Sequence, residues 1–126
     1  MKPTVRFILL AIALFLIDCP ANLWAANEPV VPVKDTVTMV DLGAKSCIPC
    51  KMMAPILEEL KAEYEGRAAV IFIDVWKDRS QGPRFGIHTI PTQIFYDKHG
   101  KEAYRHVGFM DKKQIKKLLD LLLEKN

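Results

Sequence analysis

The stretch "VDLGAKSCIPCKMMAP", residues 40–55, decides how the rest of the chain is read. Cys47 and Cys50 stand two residues apart, with Ile48 and Pro49 between them and Lys45 and Lys51 on either side. Before them, residues 36–42 ("TVTMVDL") are rich in β-branched side chains and read as a strand ending at Gly43. After them, Met53, Ile56, Leu57, Leu60 and Tyr64 recur at helical spacing, with Glu58, Glu59, Lys61 and Glu63 on the other side, until Gly66 stops the helix. Pro55 removes one backbone donor inside that helix and predicts a bend. Cys47 would then sit at a helix N-terminus, where free backbone N–H groups and the helix dipole stabilise a thiolate. Cys50 would lie one turn further in, shielded and within reach of Cys47.

Further along, residues 68–75 ("AAVIFIDV") are almost continuously apolar, which predicts a central strand buried on both faces. Residues 77–85 are polar and broken by Gly82 and Pro83, predicting a short helix or irregular connection; Trp76 and Asp78 are expected to pack in the core or that loop. Two strands follow, 92–96 and 102–107, joined by the turn "DKHG" at 97–100. Asp111 and Gln114 form a capping-box pattern that opens a last helix along Ile115, Leu118, Leu119 and Leu122. The order is β-α-β-(α)-β-β-α. The first two strands should be parallel through a right-handed crossover and the last two an antiparallel hairpin, giving an α/β fold with a mixed central sheet and helices on both faces.

The amino-terminal segment bears on compartment. Lys2 and Arg6, then the unbroken apolar run of 11 residues at 7–17, then Ala25 and Ala26, follow the order of a secretory signal. Cleavage after Ala25 is expected, with an uncleaved membrane anchor as the alternative. The divisions expected are 1–25 signal, 26–34 extended proline-punctuated lead-in and 35–126 a single domain. Cleavage would remove Cys19 and leave only the Cys47–Cys50 pair in 101 residues, enough for one compact domain but not two. Without Lys2, Arg6 and Asp18, 16 basic and 14 acidic residues remain, a net +2 that argues neither for nucleic acid nor for strong attraction to a membrane surface. Lys112, Lys113, Lys116 and Lys117 read as a solvated helix face.

The cysteine pair admits three readings: thiol–disulfide exchange, a metal site, or a structural staple. Structural zinc takes four protein ligands, and no second Cys or His pair stands at zinc-finger spacing. Haem attachment needs a His after the second cysteine, where this chain has Lys51. Copper(I) remains open through Cys47, Cys50 and Met52 or Met53. A disulfide across so short a loop removes little unfolded-state entropy, which disfavours the staple.

From Asp41 to the last helix the sequence resembles thioredoxin. "CIPCK" stands where that family has its redox motif, Pro55 where its helix is kinked, "GIHTIPT" (86–92) where a cis-proline follows, and "VGF" (107–109) after the last strand. The resemblance implies a thioredoxin fold whose amino-terminal strand–helix unit is shortened here to a lone strand or missing. It implies a thiol–disulfide oxidoreductase with no metal and no organic cofactor. Cys47 would be the nucleophile and Cys50 the resolving thiol. Ile48, Pro49, Ile90 and cis-Pro91 would meet the substrate, the Ile90 backbone pairing with its extended chain. Asp41, six residues before Cys47, would be a buried carboxyl moving a proton to or from Cys50, against the alternative of an exposed strand-end Asp.

The departures also matter. Ser46 replaces the usual tryptophan, Ile48 the usual glycine, and Phe72 the lysine that accompanies the buried aspartate, so Asp41 should be harder to ionise. His88 is expected near the active surface or simply exposed. The function expected is a periplasmic or otherwise exported reductase of protein disulfides, acting as a monomer. Its electrons would come from a membrane-embedded thiol donor, and its acceptors would be misoxidised proteins or apocytochrome c, as in cytochrome c maturation. A dithiol oxidase or isomerase of the same fold, a copper(I)-binding protein and a non-enzymatic binding domain are the alternatives.

Overall fold

The structure, a computed structural model, describes residues 29–125. The proposed signal segment and the first residues of the lead-in lie outside these. The elements are β1 (Val37–Gly43), α1 (Ile48–Glu63), β2 (Ala68–Asp74), α2 (Gln81–Phe85), β3 (Thr92–Tyr96), β4 (Glu102–Val107) and α3 (Lys112–Glu124). The sheet order is β2-β1-β3-β4; β1 and β2 are parallel, and β3 runs antiparallel to both β1 and β4. Among the described residues no strand or helix precedes Val37. The lead-in instead folds back on the sheet with Val31 buried, and both Val31–Pro32 and Ile90–Pro91 are cis peptides.

Alternation along the strands sends successive side chains to opposite faces and so makes two cores. On one face Met39, Val70 and Phe95 meet Met53, Leu57 and Leu60 of α1 and Ile115 and Leu119 of α3. On the other, Val40, Leu42, Ile73 and Ile94 are covered by Phe85 of the short α2 and by Val31. Asp111 caps α3 as its sequence pattern requires: its side chain accepts from the Gln114 N–H, while the Gln114 side chain accepts from the Asp111 N–H. Tyr64, fully buried at the end of α1, donates its hydroxyl to Asp120 of α3 at 2.6 Å and ties the two helices together. Outside that contact, Lys112 and Lys116 reach Glu59 and Glu63 across the same helix pair.

One expectation is corrected. β2 is not a central strand but an edge of the described sheet, with Phe72 38% exposed and Ile71 half-buried. Its apolar run serves two faces, yet one flank has no strand among the described residues. Of the two places expected for Trp76, the core or the loop, it takes the loop, 56% exposed in the turn after β2.

Candidate active site

The site forms where β1 ends and α1 begins. Gly43 closes β1, and the loop that follows is pinned by Asp74: its carboxylate accepts from the Lys45 N–H at 3.2 Å and from the Trp76 and Lys77 N–H groups at 3.0 Å. Partial burial pushes the Asp74 carboxyl up, but these backbone donors outweigh it and hold the group below the ordinary carboxylate range. Cys47 is the N-cap of α1 and Pro49 occupies its first turn, where a missing N–H costs nothing. Cys47 and Cys50 form a disulfide with Cα atoms 5.2 Å apart. Cys47 is 8% exposed and Cys50 3%, whereas Ile48 between them is 74% exposed and makes the apex apolar.

Ile90 packs against Ala44, Cys47 and Cys50, which brings the segment before Pro91 to the cysteines. The Pro91 carbonyl accepts from the Gly108 N–H at 2.8 Å, so the loop after β4 closes over the same end of the sheet. Gly108 adopts a φ of 104°, a conformation that favours glycine. His88 and Ser46 are exposed. Of the two methionines considered for copper, Met52 is 57% exposed, whereas Met53 lies in the core with its sulfur accepting from Gln93.

Beneath Cys50 the strands place four side chains in register on the α1 face: Phe72, Asp41, Gln93 and His106, one from each strand. Asp41 is fully buried, and burial raises its carboxyl from 3.8 to about 6 although a hydrogen bond from Gln93 pulls the other way. Gln93 Nε2 donates to Asp41 Oδ1 at 2.8 Å. Asp41 and Gly43, two residues apart on one strand, face the same way. A Cβ on Gly43 would lie 3.1 Å from Cys50 Sγ and 3.2 Å from Phe72 Cε2. The carboxyl thus sits roughly 6–7 Å along the strand from the point where β1 touches the buried sulfur. Phe72 also floors a groove of about 340 Å³ that runs between β2 and α1 to Cys50, with Leu57 and Ala54 on its wall and the exposed Lys45, Lys51 and Glu58 at its mouth.

Gln93 is the residue sequence reasoning missed. A polar amide at an inward position of a five-residue strand that is buried throughout was the available signal.

A cysteine pair that caps a helix, closes to a disulfide and lies against a cis-proline segment belongs to the class of disulfide oxidoreductases. The comparisons with known proteins agree. The family model for thioredoxin matches residues 25–121. The thioredoxins of Staphylococcus aureus strains Mu50 and MW2 are each 41% identical to this chain over 88 residues, covering 70% of it and 84% of their own length. A crystal structure of chloroplastic thioredoxin z is 33% identical and superposes with a TM-score of 0.65, covering 73% of this chain and 81% of that one. The chain belongs to the thioredoxin family.

Proposed function

We propose that this protein is an exported reductase of protein disulfides. The supporting observation is the placement of Cys47 at the N-terminus of α1 with Cys50 buried behind it and Ile90 beside both. In the reduced protein the Cys47 thiolate attacks one sulfur of a substrate disulfide, and the other substrate sulfur leaves as a thiolate. Cys50 passes its proton to Asp41 through a water that bridges the gap between the sulfur and the carboxyl, and attacks Cys47 Sγ. That releases the second substrate thiolate and leaves the Cys47–Cys50 disulfide, two electrons having passed to the substrate. Ile48, Pro49, Ile90 and cis-Pro91 present the surface on which an extended substrate segment lies.

Export rests on the basic, apolar and small-residue order of residues 1–25. An exported reductase needs a renewed supply of electrons, which a membrane-embedded thiol carrier would provide; misoxidised proteins or apocytochrome c would be the acceptors, and the domain would act as a monomer.

The test is the reduction potential of the pair together with cysteine variants. A potential near about −270 mV supports a reductase, and one near about −120 mV means the domain is an oxidant instead. Cys47→Ser should abolish insulin disulfide reduction, while Cys50→Ser should accumulate a mixed disulfide through Cys47. Retained turnover in Cys47→Ser refutes the exchange mechanism. Cell fractionation with the mass of the mature amino terminus checks export and cleavage after Ala25.

A further inference from the structure

We propose that Gln93 is the positioning residue for proton transfer at Cys50, holding Asp41 through an amide that serves both protonation states of the carboxyl. This rests on the reading of Asp41 as the group that takes the Cys50 proton.

The geometry isolates the pair. Asp41 and Gln93 are both fully buried and meet at 2.8 Å. The second oxygen of each, Asp41 Oδ2 and Gln93 Oε1, has no hydrogen-bond partner. Around Asp41, β2 contributes Phe72, α1 contributes Cys50 and Met53, and β3 contributes Gln93. The next side chain in register is His106 of β4, whose Nε2 lies 3.2 Å from the Phe109 carbonyl. Lys45, Lys51 and Glu58 stand at the groove mouth beyond Phe72. Burial and the Gln93 hydrogen bond are the influences on the Asp41 carboxyl.

An amide suits a carboxyl that must gain and lose a proton. It carries two N–H donors and one carbonyl acceptor, whereas an ammonium only donates. With Asp41 ionised, Nε2 donates to the carboxylate, as seen. With Asp41 protonated, its O–H needs an acceptor, and half a turn of the Gln93 amide offers the unused Oε1. A lysine would favour the ionised state alone. Nε2 also lies 3.1 Å from Met53 Sδ, and Met53 is one turn of α1 from Cys50. The same amide therefore ties Asp41 on β1 to the helix that carries the resolving thiol.

Gln93→Met, near in volume but without donor or acceptor, tests this. Two quantities are read in the wild type and variant: the Asp41 carboxyl titration by 13C NMR, and the pH profile of the rate at which Cys50 resolves a mixed disulfide on Cys47. The bond to the ionised carboxylate is charge-assisted and the stronger of the two the amide can make, so removing the amide should move both midpoints upward together by about one pH unit, a tenfold change in the equilibrium. The rate at which Cys47 attacks substrate should stay unchanged.

An Asp41 titration that does not move overturns the role of Gln93. Asp41→Asn separates the two ideas. If that change leaves the resolving profile intact, the proton-acceptor reading falls, and the positioning role falls with it. Should Gln93→Met not fold, Gln93→Glu keeps the length and polarity. Two buried carboxyls must then share a proton, so an upward, two-step titration is expected, and an unmoved one overturns the proposal.

Discussion

Replacing Asp41 with Asn should make the protein more stable in alkaline solution than in acid, relative to the wild type. In the folded chain the Asp41 carboxyl titrates at about 6 because it is buried, against an ordinary value of 3.8. A carboxyl raised in this way favours the folded state while it is neutral. Its contribution is complete below about pH 3.8, fades as the pH climbs towards 6, and is gone above that. The gap corresponds to about 3 kcal/mol at about 1.4 kcal/mol per tenfold change. Asn is close to Asp in shape, keeps an oxygen for the Gln93 donor and carries no charge, so its own stability should not follow this curve. Urea unfolding of the oxidised forms at pH 4 and pH 8 measures the difference. Other titrating groups are common to both proteins and cancel in the comparison. At pH 4 the unfolded carboxyl is already partly ionised, so the advantage of the variant should grow by about 2 kcal/mol between the two conditions. An advantage that is the same at both pH values refutes the assignment of that carboxyl as buried and reluctant to ionise.

Other perturbations probe the same region and its support. Phe72→Lys puts an ammonium across from Asp41 on the same face and should bring the Asp41 titration down from about 6; a 13C NMR midpoint that stays put denies position 72 that influence. Gly43→Ala forces a methyl to 3.1 Å from Cys50 Sγ and 3.2 Å from Phe72, and should cost about 1–3 kcal/mol in urea unfolding, with no loss if the ring and sulfur have room to move. Asp111→Ala removes the arm of the α3 capping box in which the Asp111 carboxylate accepts from the Gln114 N–H, leaves the bond from the backbone N–H of residue 111 to the Gln114 side chain, and should cost about 1 kcal/mol by the same assay. Tyr64→Phe deletes the hydroxyl that reaches Asp120 and should cost about 1 kcal/mol; an unchanged midpoint would mean that water replaces the bond without loss.

What the sequence disclosed was governed by how local each signal is. The strands at 92–96 and 102–107 stand where alternation and the 97–100 turn put them, and the capping box at Asp111 closes through residues three apart. Cys47 falls at the start of α1 because strand, glycine and apolar stripe are all written within a few residues of it. Position within the sheet is a different matter. The run at 68–75 satisfies the pattern of a central strand, but which strand lies beside it depends on segments remote in the chain, and among the described residues β2 is an edge. The partnership of Asp41 with Gln93 was hidden for the same reason: 52 residues separate them, and only the antiparallel register of β1 and β3 makes them neighbours. Phe72 was visible as a substitution, but its place as the floor of a groove beside Cys50 needed the parallel register of β1 and β2.

The neutrality of the surroundings of Asp41 has a consequence for the medium in which the protein works. Ion pairs that reach towards solvent weaken as ionic strength rises, because mobile ions screen them over about 8–10 Å at moderate salt. A carboxyl governed by desolvation and one amide hydrogen bond offers those ions nothing to screen. Its titration should hold nearly constant from dilute buffer to concentrated salt, while the electrostatic influence of the exposed Lys45, Lys51 and Glu58 at the mouth of the groove would weaken over the same range. The buried carboxyl and the charged rim of the groove therefore answer to different properties of the surrounding solution.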